Sequence, residues 1–176
     1  VTMKVDAFCV MPLMSLGLAM TTFTGQNIGA GDIPRVEKGC RQGLLLTVSI
    51  TGGLSVLLFF FGKYPLMIFT PEPELLREGM HLLRILCPFY WVIAVSDLLT
   101  GVMRGSGNTI IPMINSMICL CLIRIPLMYW LVSLFHSADA LYYSMVIGWC
   151  VGATFMSLFY KFSPWRRRAL EKYQKD

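Results

Sequence analysis

Long apolar runs separated by short polar stretches dominate the chain. Five runs of 17 to 26 residues occur, at residues 7–23, 44–61, 85–103, 110–135 and 140–160. A helix rises about 1.5 Å per residue, so about 20 residues cross a hydrocarbon core of roughly 30 Å. Of the 15 Lys/Arg and 10 Asp/Glu residues, only Asp97 and Arg124 fall inside these runs. The pattern predicts an all-α membrane protein with five transmembrane helices, at about residues 5–27, 40–62, 80–104, 109–135 and 139–161.

Composition supports this class and narrows the function. Apolar residues make up 56% of the chain and charged residues 14%, against about 45–50% and 25% in soluble domains. The sequence pI of about 9.0 would suit nucleic-acid binding, but the basic residues flank the apolar runs, so the expected partner is the lipid bilayer and not nucleic acid. No catalytic motif, phosphate-binding loop or metal-ligand spacing of the six cysteines is present, so we expect neither an enzyme, nor a cofactor, nor a metal site.

The distribution of basic residues predicts the orientation. Residues 24–43, 104–109 and 161–176 lie on one side of the predicted membrane and carry ten Lys/Arg, against four on the other side. The positive-inside rule then places the C-terminus in the cytoplasm of a multi-pass protein of the cell (plasma or inner) membrane. Residues 1–162 form the predicted helical body. Residues 163–176 form a basic cytoplasmic tail that is expected to meet anionic lipid head groups.

The two charged residues inside the runs are candidates for different roles. An acid within a span costs a few kcal/mol to insert, so Asp97 is a candidate ion or proton carrier, roughly 10 Å from the cytoplasmic end of its helix. The alternative is a structural acid bonded to a neighbouring helix. Arg124 is expected about 10 Å deeper than Asp97, too far for a direct ion pair. It is therefore interpreted as an anchor that reaches the outer interface or free backbone carbonyls near Pro126.

Four prolines and a few polar residues lie within the runs. Proline removes a backbone donor and bends a helix, which in transporters creates hinges, and this interpretation applies to Pro12, Pro88, Pro112 and Pro126. Polar or adaptable side chains that could line an aqueous path or contact a substrate are Met14, Ser15 and Asn115. Packing and hydrogen bonding between helices remain equally open for these three residues.

Two short loops carry a family resemblance. Residues 25–31, with Gln26, Asn27, Gly29 and Gly31, follow a proline-containing span and resemble a cytoplasmic turn of multidrug and toxin extrusion (MATE) transporters. Residues 104–112 are similar to a second turn of that family and include Arg104, Gly105 and Gly107. Residues 69–88 resemble the family's outer loop and the start of its next span. Asn108 departs from the pattern, since the family more often has Asp at that position.

The resemblance implies a fold and an activity. MATE transporters have twelve helices in two six-helix lobes, and this chain is similar to the last five helices, so the missing N-terminal lobe would be its partner. The implied activity is alternating-access export of small molecules, often cationic and amphipathic drugs or toxic metabolites, in exchange for Na⁺ or H⁺. Asp97 lies in the predicted span at about residues 80–104. In some branches of the family, the acid in the corresponding helix falls at the position of Ile93. Coupling by Asp97 is therefore a hypothesis.

Two alternatives remain at this point. A lipid-linked oligosaccharide flippase of the same superfamily would need a strongly cationic cavity, and Arg124 alone is basic within a predicted span. The other alternative is a non-transporting membrane scaffold or an inactive, truncated remnant. The odd number of predicted spans and the start at Val1 favour the expectation that the chain is a fragment.

Overall fold

A computed structural model describes residues 2–69, 72–135, 139–167 and 169, with side chains described at 10–68, 72–134, 140–167 and 169. Nearly all of these residues are helical and none of them forms a strand. The helices are α1 (Thr2–Gly29), α2 (Ile33–Phe61), α3 (Lys63–Phe69), α4 (Pro73–Leu86), α5 (Tyr90–Gly105), α6 (Ile110–Met117), α7 (Ile125–Phe135) and α8 (Asp139–Phe162). A 3₁₀ turn (Cys87–Phe89) joins α4 to α5, and a π-helical segment (Ile118–Arg124) joins α6 to α7.

Four helical stretches in the described part of the chain are long and apolar enough to cross a membrane. They are Ile33–Phe61, Pro73–Gly105, Ile110–Leu134 and Ala140–Phe162. They confirm an all-α membrane fold, whereas the predicted number of five spans is not confirmed. The helix α1, which holds the first predicted span, has 28 residues, and the side chains of its first eight lie outside the described set.

Two helices begin well before the predicted limits. The helix α2 begins at Ile33, not near residue 40, because Asp32 caps it: its Oδ1 accepts a hydrogen bond from Arg35 N at 3.0 Å. The helix α4 begins at Pro73, not near residue 80, with proline in the first turn, where its missing N–H breaks no helical bond. An apolar run shows which residues lie within the hydrocarbon core, whereas a capping residue determines where the helix begins. A helix can therefore begin several residues before its apolar run.

The two turns that resemble MATE loops have the same backbone geometry. Gly31 and Gly107 adopt left-handed conformations, with φ of 76° and 78°. After each glycine, an N–H reaches back to the carbonyl five residues earlier: Asp32 N to Asn27 O at 2.9 Å, and Asn108 N to Met103 O at 3.0 Å. These are Schellman caps, which require glycine at the left-handed position. They end α1 and α5 and reverse the chain into α2 and α6.

The side chain at position 108 bonds to the first turn of the following helix although it is not an acid. Asn108 lies one residue before the N-cap Thr109 of α6, and its Oδ1 accepts a hydrogen bond from Ile111 N at 3.4 Å. Asparagine and aspartate cap helices about equally well. The departure from the family pattern at Asn108 therefore leaves the turn intact.

The helix α5 lies at the centre of the bundle and packs against α1, α2 and α8. One apolar core fills the end of the bundle near the two glycine turns and includes Val36, Cys40, Val102, Met103 and Met156. A second core fills the opposite end and includes Leu58, Leu66, Leu83, Tyr90 and Val146. The segment from α6 to α7 is mostly exposed apolar surface, as expected of helices that face lipid.

The four predicted bending prolines lie in different local structures. Pro88 lies in the 3₁₀ turn between α4 and α5, and Pro126 directly follows the π-helical segment. In both places the regular helix is interrupted beside a residue that cannot donate its backbone hydrogen bond. Pro12 lies inside the continuous helix α1. Pro112 lies in the first turn of α6, where no helical bond is lost.

The start of the predicted basic tail packs onto the bundle. Trp165 is 1% exposed and donates its indole N–H to Tyr160 O at 3.0 Å. Arg166 forms an ion pair with Glu37 of α2 and lies over the Trp165 ring. Trp165 also lines a small cavity with the turn residues 106–110. Trp165 thus joins α8 to the α5–α6 turn, while residues 168 and 170–176 of the tail lie outside the described residues.

Trp165→Phe is expected to lower the free energy of unfolding by about 1–2 kcal/mol, because it removes the buried indole hydrogen bond and leaves space beside Tyr160. Denaturant unfolding of the protein in detergent measures this change. The matched control is Trp130→Phe, since Trp130 is 61% exposed. Equal effects of the two substitutions would contradict the structural role of Trp165.

Candidate functional site: an acid in the α1–α5 seam

The helices α1 and α5 touch along a line of small residues, here named the α1–α5 seam: Gly17, Thr21 and Thr24 of α1 with Asp97, Gly101 and Gly105 of α5. A Cβ atom added at Gly101 would overlap the carbonyl oxygen of Gly17, and one added at Gly105 would overlap that of Thr21. The two backbones are therefore in direct contact, an approach that only glycine permits.

Asp97 lies at the end of the seam away from the glycine turn and faces Gly17. A Cβ atom at Gly17 would lie 2.6 Å from Asp97 Oδ2 and 3.2 Å from the Asp97 carbonyl oxygen. The absence of a side chain at Gly17 thus makes room for the carboxylate between the two helices. Asp97 is partly buried, and none of the described residues gives it a hydrogen bond or an ion pair.

The hydroxyl groups of the seam form no hydrogen bond with the acid. Thr21 Oγ1 donates to Gly17 O at 3.0 Å, one turn earlier in the same helix. Thr24 is fully buried, and its hydroxyl finds no hydrogen-bond partner among the described atoms. The carboxylate oxygens of Asp97 therefore stay available for a proton or a cation.

Sequence reasoning identified Asp97 but missed its surroundings. Asp97, Gly101 and Gly105 are spaced four residues apart, so they lie on one face of α5. This is a small-xxx-small pattern, the usual signal of close helix contact in membranes. Gly105 also belongs to the turn motif and Gly101 to the interior of an apolar run, so this face does not stand out in the sequence. The four-residue spacing identifies this face of α5 as a helix contact, but it does not indicate that the contact is with Gly17 of α1.

Arg124 and Asp97 lie on elements that pack against different helices. Arg124 is the last residue of the π-helical segment and is partly exposed. The π-helical segment packs against α7 and α8, whereas Asp97 faces α1. The two described side chains form no ion pair. The interpretation of Arg124 as an anchor stays a prediction.

The three other candidates fall on two surfaces. Met14 is 64% exposed, and the exposed Ser15 donates its hydroxyl to Met11 O at 3.1 Å within α1. Asn115 is 8% exposed, lies against Gly152 of α8 and accepts a weak hydrogen bond from the Cys119 thiol at 3.6 Å. Asn115 therefore belongs to the α6–α8 contact, not to the surface that Met14 and Ser15 share. Substrate contact by these three residues stays a prediction.

The site offers one partly buried carboxylate, that of Asp97, set between two helices. A carboxylate in such a place can hold a proton or contribute to a monovalent ion site. Within the described ranges no three His, Cys, Asp or Glu residues are grouped to hold a metal ion.

The family model described as MatE matches residues 1–130. The chain belongs to the MatE family. Two bacterial relatives of this MatE chain are the probable multidrug resistance protein NorM of Thermotoga maritima, 26% identical over 95% of the chain, and the probable multidrug resistance protein YoeA of Bacillus subtilis, 30% identical over 72% of it. The matched regions make up 36% and 27% of those two proteins.

Solved structures share the fold. The MatE chain superimposes on the eukaryotic MATE transporter AtDTX14 with a TM-score of 0.87 at 21% identity, and on the MATE transporter ClbM, determined in complex with Rb⁺, with a TM-score of 0.84 at 22% identity. The matches cover 98% and 99% of this chain but only 39% and 40% of the transporters. The chain therefore has the architecture of part of a MATE transporter.

Proposed function

We propose that this chain forms most of the C-terminal lobe of an antiporter that exports drugs or toxic, often cationic and amphipathic, metabolites in exchange for Na⁺ or H⁺. The N-terminal lobe of the full-length protein is its partner, and the substrate binds between the lobes. Family membership and the multidrug resistance names of the relatives support this assignment. The single observation that carries the coupling step is Asp97, a lone acid facing Gly17 in a glycine-lined helix contact.

The proposed mechanism is alternating access. The helices rock between inward-open and outward-open states at the interruptions beside Pro88 and Pro126. Cation binding or protonation at Asp97 removes an uncompensated negative charge from the seam and so favours one of the two states. The Rb⁺ complex of ClbM supports a monovalent cation as the coupling ion. No enzymatic step and no organic cofactor enter this mechanism.

The proposed location is the cell membrane, with the C-terminus in the cytoplasm. The side that carries the two glycine turns and the start of the tail is rich in basic residues, which supports this orientation. A flippase for pyrophosphate-linked oligosaccharides is not favoured, because Arg124 is the one basic side chain deep in a predicted span.

An efflux assay with the two gradients collapsed separately tests the proposal. Cells expressing the full-length protein are loaded with a fluorescent cationic dye, and dye loss is followed with either the Na⁺ or the proton gradient removed. We expect export to stop when one of the gradients is collapsed and to continue when the other is. Export that survives the loss of both gradients, or no export of any cationic dye, would contradict an ion-coupled exporter.

A further inference from the structure

We infer that a cavity between α3 and α4 binds the phosphate head group and upper acyl chain of an anionic phospholipid. This α3–α4 cavity has a volume of about 720 Å³ and lies at the end of the bundle opposite Trp165. Its lining residues are Lys63, Met67, Pro73, Leu76, Arg77, Met80, His81 and Arg84. Such a lipid site is independent of the transport mechanism and of Asp97.

The lining divides into a basic part and an apolar part. Lys63, Arg77 and Arg84 are exposed cations, and within the described residues they form no ion pair with a carboxylate. The acids Glu74 and Glu78 are on α4 but do not line the cavity. The cavity lining is therefore a concentration of positive charge, and none of the described carboxylates is part of that lining. Arginine is well suited to bind the oxygens of a phosphate group.

The apolar part of the lining suits an acyl chain better than a soluble anion. Met67 is 54% exposed and lies beside Met80 and Leu76. Methionine side chains adapt to irregular apolar ligands. A free phosphate ion would leave this surface in water, whereas a phospholipid would cover it. The combination of cations and methionines thus favours a lipid over inorganic phosphate.

The depth of the cavity matches a head-group region. The stretch Pro73–Gly105 has 33 residues, about 50 Å of helix, whereas the hydrocarbon core needs only about 20 residues. With the Gly105 end at one face of the membrane, α4 extends beyond the opposite face. The buried residues of α4 form one face, at Gly79, Leu82, Leu83 and Leu86. An amphipathic helix at this level lies in the interface, where phosphate groups are found.

Native mass spectrometry of the full-length protein in detergent tests the inference, with phosphatidylglycerol as the probe and phosphatidylcholine as the neutral comparison. We expect phosphatidylglycerol to bind preferentially to the unmodified protein. Arg77→Gln/Arg84→Gln should weaken this binding roughly thirtyfold, since each cation near a lipid phosphate raises the affinity roughly five- to sixfold. Arg77→Lys/Arg84→Lys keeps the charge and should retain most of the binding.

Matched variants and competitors separate the possible results. Arg35→Gln/Arg41→Gln removes two exposed cations at the other end of the bundle and should leave phosphatidylglycerol binding unchanged. An equal loss in this control, or full binding by Arg77→Gln/Arg84→Gln, would overturn the inference. Displacement of the lipid by millimolar inorganic phosphate would overturn it as well, because the site would then take a free anion. Circular dichroism confirms that each variant is folded.

Discussion

Asp97→Asn is expected to abolish gradient-driven efflux by the full-length protein while its folding is retained. Asparagine has nearly the same size and fits the space opposite Gly17, but it can neither take up a proton nor contribute a negative charge to a cation site. The loss of efflux should therefore come from the loss of ion coupling and not from a change in helix packing. Dye efflux from cells, normalised to the amount of protein in the membrane, measures it against the unmodified transporter.

The matched control is Asp32→Asn, the same chemical change at the cap of α2. Asparagine caps helices as well as aspartate does, so efflux should be unchanged. Gly17→Ala provides a second comparison, because its Cβ would push the Asp97 carboxylate out of its place while the acid is retained. It should shift the concentration of coupling ion that gives half-maximal efflux. Undiminished efflux in Asp97→Asn would remove Asp97 from the mechanism.

Gly101→Val is expected to cause a large loss of stability of the bundle. Its Cβ would overlap the carbonyl oxygen of Gly17, which belongs to the backbone of α1 and cannot rotate away. Overpacking ordinarily costs about 1–3 kcal/mol, and here two helices must separate, so we expect at least the top of that range. Thermal unfolding in detergent and the amount of protein in the membrane measure the effect.

The same substitution at Gly53 isolates the packing contribution. Gly53→Val carries the same cost of placing a β-branched residue in a helix, but nothing lies within 4 Å of a Cβ atom added there. Its melting temperature should therefore stay close to that of the unmodified protein. If Gly101→Val were as stable as Gly53→Val, α1 and α5 would not be in backbone contact.

The apolar pattern predicted the all-helical membrane fold because insertion into lipid depends on the length and hydrophobicity of each segment, both of which are local properties. The two turns were also predictable, since left-handed positions such as Gly31 and Gly107 accept few residues other than glycine. The short helix α3 and the early start of α4 were not predicted. Their helical character comes from capping and interfacial packing, not from an apolar run.

The surroundings of Asp97 could not be predicted, because they depend on which helices become neighbours. The sequence places Gly101 and Gly105 on the face of Asp97, but nothing local indicates that this face meets Gly17. The burial of Trp165 had the same cause. Trp165 lies against the ring of Tyr160 and lines a cavity with the turn after α5. The contact of Asp97 with Gly17 and that of Trp165 with this turn join segments that are far apart in the chain.

The backbone contact at Gly17 and Gly101 also determines how the two helices can move. Two helices whose side chains interdigitate resist sliding, because each side chain must move past its neighbours. Where two helices meet at glycines, few side chains stand in the way of sliding. The seam is therefore a surface suited to shear, in which α1 and α5 slide in contact and do not swing apart. Asp97 lies at the edge of that surface. In the proposed mechanism, a change in its charge would alter the register of the two helices by about 1–2 Å, a displacement too small to be seen as a hinge.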